Sequence, residues 1–334
     1  MLDLPTAPAA ATAERRRQIE FLVREILAAR ERGDAPALLA RLAPDFVYRA
    51  HGAWPMWPYH GGPIDAAQFA DAARRLNAEI EFLGSDIHEL LIDGDTVALH
   101  ATSVARNRGA GAPVAFDQWM VFRFRDNLLV GMAIYVDAAK AALLPPSGLV
   151  EVHARFQPRR PAPDWLSGGN GDGRPARAVV ADTPAPPGPD RGEARSRTFM
   201  ERLVRDVFLL RAKGDFEGML GRLAPDFVYN PRGAWTKPPL MADRCDRATF
   251  AESLRLVNVE FEDLGGEIHE FLVDGDRVAV HRTIRIRNRG AGDVVHLDEW
   301  VCFRICAGLI VEMASYVDSA RASGVEWPTY APPR

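Results

Sequence analysis

The chain is written twice. Leu42-Ala43-Pro44-Asp45-Phe46-Val47-Tyr48 returns as Leu223-Ala224-Pro225-Asp226-Phe227-Val228-Tyr229, at an offset of 181 residues. Without a gap, the same offset carries Gly52-Ala53-Trp54 onto Gly233-Ala234-Trp235 and Ile87-His88-Glu89 onto Ile268-His269-Glu270. It also carries Asp93-Gly94-Asp95 onto Asp274-Gly275-Asp276, and Tyr135-Val136-Asp137 onto Tyr316-Val317-Asp318. About half of the positions from Glu20 to Lys140 are identical to their counterparts. Each copy is long enough to be a domain, so a solenoid of short repeats is excluded and a duplicated globular domain is implied.

Between the copies the composition changes. The stretch contains Ser167-Gly168-Gly169-Asn170-Gly171-Asp172-Gly173 and Pro184-Ala185-Pro186-Pro187-Gly188-Pro189. Such a segment cannot bury a core and reads as a linker. About 40 flexible residues have an end-to-end distance of roughly 35 Å, enough for the copies to pack side by side. The domain reading is therefore 14–145, a Pro/Gly/Arg-rich linker over 146–195, and 196–325.

Of the 334 residues, 47% are hydrophobic and 26% charged, which excludes wholesale disorder. A net charge of −4 is not the footprint of a nucleic-acid binder. The three cysteines are an odd number and all lie in the second half, so a disulfide scaffold is excluded. Cys302 and Cys306, four apart on one predicted strand, would lie roughly 13 Å from each other, too far to bridge. No stretch approaches the ~20 apolar residues of a membrane span, and no targeting segment is recognisable. The expectation is a cytoplasmic protein that does not bind membranes.

Ile19, Leu22, Val23, Ile26 and Leu27 have helical spacing, and Gly33 suits the end of that helix. Asp34 then caps a short helix with Pro36 in its first turn. Asp65 and Gln68 predict a capping box opening a helix to Leu76, with Asp246 and Thr249 as counterparts. Beyond it the period switches to two, with strands predicted at 77–82, 87–92, 96–106, 114–124 and 128–136 and a hairpin at Asp93-Gly94-Asp95. The fold class is α+β, with three N-terminal helices on one face of a curved antiparallel sheet in each copy.

The Gly-Asp helix end, the Leu-Ala-Pro-Asp-Phe-Val-Tyr strand entry, the Asp-Gly-Asp hairpin and the closing pair from Phe303 through Met313 to Tyr316-Val317-Asp318 carry a resemblance. Each copy resembles the nuclear transport factor 2-like superfamily, in its SnoaL-like and ketosteroid-isomerase-like branch. The resemblance implies two cone-shaped domains, docked sheet to sheet as a pseudo-dimer, with a ligand held in the cone between sheet and helices. The superfamily includes isomerases, cyclases, dehydratases, epoxide hydrolases and non-catalytic binding modules, so function rests on the site. The isomerases' Tyr, Asp base and Asp acid would fall at Ile26, Ala50 and Met120 and their counterparts Val207, Pro231 and Val301, all apolar. The epoxide hydrolases' Asp would fall at Ile134 or Ser315. Both chemistries lack their residues here.

The remaining candidates come from pattern. Met120, Phe122 and Phe124 share one strand face, as do Val301, Phe303 and Ile305, and this face is expected against the helices. Trp119 and Trp300 point the other way, either into a contact between the two copies or onto a ligand. Glu299, where the first copy has Gln118, is a candidate buried carboxylate that burial would push up in pKa, or a strand-end residue reaching solvent. His88 and His100, repeated as His269 and His281, flank the hairpin. A three-residue loop would set them directly opposite, and a two-residue loop on opposite faces. They read as hydrogen-bonded structural histidines or an acid/base pair; two His without a third ligand do not make a metal site, and neither metal nor cofactor is expected. Tyr48 and Tyr229 could donate to a ligand oxygen or be core residues. Asn77 and Glu79 could line the pocket or cap the helix, and Arg285, Arg287 and Arg289 form either a solvated face or an anion site. The loop through Trp54, Trp57, Tyr59 and His60, answered by Trp235, could be a lid over the cone or a packed surface loop. Tyr48, Tyr229, Glu299 and the four histidines are thus the catalytic candidates. The loop aromatics and His60 join Met120, Phe122 and Phe303 as candidate substrate contacts. By resemblance the chain binds a small hydrophobic ligand, with isomerase, cyclase or dehydratase chemistry on a carbonyl or polyketide-like compound through His/Tyr acid-base steps. A non-catalytic ligand-binding or assembly module is the alternative.

Overall fold

The computed structural model describes residues 13–51, 63–109, 111–136, 196–232, 244–290 and 292–317. The linker, Trp54, Trp57, Tyr59, His60 and Trp235 lie outside the described residues.

The first unit runs α1 (Ala13–Glu31), α2 (Ala35–Leu39), β1 (Leu42–His51), β2 (Ile64–Asp65), α3 (Ala66–Glu79), β3 (Ile80–Asp93), β4 (Thr96–Asn107), β5 (Val114–Arg125) and β6 (Leu128–Val136). The second repeats it as α4 (Arg197–Ala212), α5 (Phe216–Leu220), β7 (Leu223–Arg232), β8 (Cys245–Asp246), α6 (Arg247–Glu260), β9 (Phe261–Asp274), β10 (Arg277–Asn288), β11 (Val294–Cys306) and β12 (Leu309–Val317). Each forms a six-stranded sheet, in the order β2-β1-β6-β5-β4-β3 and β8-β7-β12-β11-β10-β9.

The local signals act as their chemistry requires. Gly33, at φ +65°, ends α1. Asp34 accepts from the Ala37 N–H at 3.0 Å. Asp65 and Gln68 exchange both bonds of a capping box. Asp246 accepts from Thr249 N.

Three details differ from the sequence reading. α3 continues through Asn77 to Glu79, and the strands expected at 77–82 and 87–92 are one long strand, β3. Its register slips between Phe82 and Gly84 and between Ile87 and Glu89, so bulges hide its continuity from a strict period of two. The sheet is also not wholly antiparallel: β1 lies parallel to β6, and the two-residue β2 pairs antiparallel with β1. Non-sequential pairing of this kind leaves no local trace.

The β5 face works as its alternation predicts. Met120, Phe122 and Phe124 join Ile19, Val23 and Ile26 of α1 in the first unit's core. Trp119 and Val121 face away and pack with Trp300 and Cys302 of β11 in a core shared between the units. The two indoles stack at 5.3 Å and 2°. A pseudo-two-fold relates the contacts around them. Arg16 pairs with Asp274 at 2.6 Å and Arg197 with Asp93 at 2.6 Å, one residue from each unit in both cases. The duplicated domain thus docks on itself, sheet to sheet, as an isologous dimer would. Among the described residues no helix is long and apolar enough to cross a membrane.

Candidate functional site

In the first unit the helices do not fill the concave face of the sheet. A cavity of about 630 Å³, counted out to its solvent-open mouth, lies between α1, α2, α3 and strands β1, β3, β5 and β6. Ile26, Leu27, Ala29, Leu38, Phe69, Ala73, Phe82, Met120, Met132 and Ile134 give it an apolar wall. Arg30, Asp34, Tyr48 and Asn77 are its polar lining. Asp34 is occupied in capping α2. Tyr48 is 2% exposed, and burial pushes its phenol well above the ordinary range against the pull of Arg30, so it stays protonated.

The second unit matches these positions at an offset of 181, and its helix wall is larger. Leu27, Ala29, Ala35 and Ala73 become Phe208, Leu210, Phe216 and Leu254. Phe208, Leu210 and Phe216 pack against the second core, with Leu254 inside it. Smaller residues elsewhere offset much of this: Val207 for Ile26, Val257 for Leu76, Asp263 for Phe82, Val301 for Met120 and Ser315 for Ile134. Ser315 also bonds the Tyr229 hydroxyl at 2.5 Å.

The polar groups behind the two walls differ in charge. Arg30 is half-buried with its guanidinium over the Phe82 ring at 4.6 Å. Its Nη2 donates to Ser85 Oγ and Ser103 Oγ, each at 2.9 Å. The Gln118 amide, oriented by its donors, turns its oxygen to Nη1 and Nη2 at 3.2 and 3.1 Å. All these acceptors are neutral. Burial brings the guanidinium down to about 10, against the pull of Glu31 and Tyr48. In the second unit Arg211 stands at the matching place, 3.0 Å from Asp263, the counterpart of Phe82. Glu299, the counterpart of Gln118, is 4% exposed and 2.7 Å from Arg282, which is 3% exposed and replaces Ala101. Arg282 also lies 3.8 Å over Phe208. Gly266 replaces Ser85: a Cβ there would lie 2.2 Å from the Thr283 carbonyl oxygen. Glu299 is therefore the buried carboxylate of the two sequence readings, and its partner is an arginine rather than a ligand.

The histidines do not join the cavity. The Asp93–Thr96 hairpin has a two-residue turn, which alone would separate His88 from His100. The bulge at His88 reverses that, and the rings meet at 4.8 Å. They do so on the face toward the other unit. His100 is 1% exposed, stacks on Trp119 at 5.2 Å, and its Nδ1 meets the Tyr316 hydroxyl of the second unit at 3.0 Å. Thr102 shares a bond with His88 Nε2 at 2.7 Å and donates to Asp117 at 2.6 Å. His269, His281, Thr283, Asp298 and Tyr135 repeat the network. Ligand atoms of His88, His100 and Asp117 lie within 4.8 Å of one another, a grouping that could hold a metal ion. Asp117 is the third group the sequence reading did not find, because it comes from the next strand. Phe122 and Phe303 are core residues, Phe122 beside Phe124 and Phe303 against Phe208, while Met120 reaches the cavity. The Arg285-Arg287-Arg289 face is bound to Leu264 O, Glu262 and Asn258 O.

The SnoaL-like domain family model matches residues 23–132 and again 204–313, more than half of the chain. The chain belongs to the SnoaL-like family. No curated protein matches it significantly. Solved structures each match about one unit. An NTF2-like protein of unknown function from Burkholderia pseudomallei is 22% identical, covers 38% of this chain and 96% of its own, and gives a TM-score of 0.34. An LEH-like epoxide hydrolase from M. tuberculosis is 21% identical over 37% and 86%, with a TM-score of 0.31. IdmH from Streptomyces antibioticus, given as a candidate polyketide cyclase, is 19% identical over 37% and 95%, with a TM-score of 0.32. Within this SnoaL-like pair the isomerase positions Ile26 and Met120 and the epoxide-hydrolase position Ile134 do line the first cavity, as hydrocarbon walls. Arg30, which the sequence reading passed over, is its one cation among the described residues. The signal was there: Arg30 and Arg211 match, while the residues around them exchange charge.

Proposed function

We propose that the first unit is the working half of this SnoaL-like pair and binds a small apolar molecule with an oxygen acceptor. The second unit acts as its docked structural partner. The observation that carries this is the open, apolar first cone with donors on its wall; in the second unit Phe208, Leu210, Phe216 and Leu254 enlarge the helix wall, and the ion pairs Arg211–Asp263 and Arg282–Glu299 stand behind it. A protonated Tyr48 supplies a hydroxyl and Arg30 further N–H groups. The one carboxylate lining the cone, Asp34, is spent on its helix cap, so binding fits better than proton abstraction.

Tyr48 as a general acid supports a second reading, dehydration or cyclisation of a carbonyl compound, in which turnover would vanish in Tyr48→Phe. The test of the main reading is calorimetric titration of the full chain with 2-naphthamide, a neutral aromatic amide. Ala73→Phe, which fills the first cone, is expected to abolish binding. Binding that survives Ala73→Phe, or none in the parent protein, refutes the assignment.

A further inference from the structure

The two cones hold the same arginine in opposite electrostatic states. Behind the second wall two guanidinium groups, Arg211 and Arg282, meet two carboxylates, Asp263 and Glu299, and the charge closes to zero. Behind the first wall the guanidinium of Arg30 is hydrogen-bonded to two hydroxyls and an amide, all neutral. Its Nε is enclosed without a hydrogen-bond partner. A cation taken out of water is costly unless it is paired; Glu31 pulls on Arg30 through space and Asp34 shares the cone while capping α2, but the hydrogen bonds described for the guanidinium all go to neutral groups. The same side chain lines the cavity, where a ligand can reach it.

We propose that the first cone takes an apolar molecule bearing a single carboxylate, whose head pairs with Arg30 while its body lies along Ile26, Phe82, Met120 and Ile134. The second unit gives a partial precedent: where the first has Gln118, the second has Glu299, which pairs with Arg282 in place of Ala101 and also pulls on Arg211, the counterpart of Arg30. A single carboxylate gives the guanidinium one charged partner, whereas a phosphate dianion would leave an excess charge against a wall of Met and Ile, with no second cation among the described lining residues to meet it. The guanidinium presents N–H donors in a fork matched to a carboxylate, and Tyr48 adds a protonated hydroxyl.

This inference rests on the first cone being the binding chamber, and the experiment separates the two. The full chain is titrated at pH 7.5 with 2-naphthoate and with its neutral isostere 2-naphthamide. The anion is expected to bind about 10- to 100-fold more tightly, the span of a charged hydrogen-bonded contact. Arg30→Met should remove that preference, bringing naphthoate down to the amide's affinity or below it. Gln118→Glu, which installs the second unit's carboxylate beside Arg30, should do the same without deleting the arginine. Equal affinities for both probes, with Ala73→Phe blocking both, would overturn the anion assignment and keep the chamber. A preference for naphthoate that persists in both variants would also overturn it. Failure of both probes to bind would overturn the chamber, and the inference with it.

Discussion

Exchanging Glu299 for Gln writes the first unit's chemistry into the second. Glu299 and Arg282 are 4% and 3% exposed and 2.7 Å apart, so the exchange leaves a guanidinium almost fully buried and without its carboxylate. Removing one partner of such a pair costs about 3–5 kcal/mol, chiefly the burial of the stranded charge rather than the lost attraction. At about 4 °C per kcal/mol for a domain of this size, the second unit's melting temperature should fall by roughly 10–20 °C. The reverse exchange, Gln118→Glu, brings a carboxylate to Arg30 and should leave the first unit's stability unchanged or raise it by about 1 kcal/mol. Both are read by far-UV circular dichroism of the full chain under heat and under urea. If Glu299→Gln costs less than about 1 kcal/mol while Gln118→Glu costs more than about 2, the argument from stranded buried charge is refuted for both cones.

Arg30→Met removes a buried guanidinium whose described hydrogen-bond partners are neutral, so differential scanning fluorimetry should show an equal or higher melting temperature, whereas Arg211→Met should lower it by breaking the pair with Asp263. Trp119→Ala deletes half of the indole stack between the units and should cost about 3–5 kcal/mol in urea titrations, with loss of their concerted unfolding. Tyr48, Tyr229 and Tyr135 have phenols raised above the ordinary range, in each case first by burial. The folded state then keeps protons that the unfolded state loses above pH ~10, so stability should fall as pH rises, by about 1.4 kcal/mol per pH unit for each tyrosine. Arg30 works the other way, releasing its proton near pH 10 in the folded state and near its ordinary value when unfolded. Absorbance at 295 nm checks this: these three phenols should ionise only on unfolding.

The sequence by itself determined the architecture, because a duplicated domain records every fold signal twice. The offset of 181 residues, the Asp caps at positions 34, 65 and 246, and the alternation along β5 are local, and local chemistry sets them. The same alternation placed Trp119 and Trp300 between the units. Tertiary structure decided what crosses between strands and walls. A bulge, which no hydropathy period reports, set His88 beside His100, and pairing to the next strand brought in Asp117. The histidines then fell on the docking face, away from the cone, because side chains in a strand divide between two faces and only the packed sheet says which one holds ligand. Arg30 was legible as a letter but not as a buried charge among neutral hydrogen-bond partners. That depends on Phe82, Ser85, Ser103 and Gln118, which come together from three strands only when the sheet curls over α1.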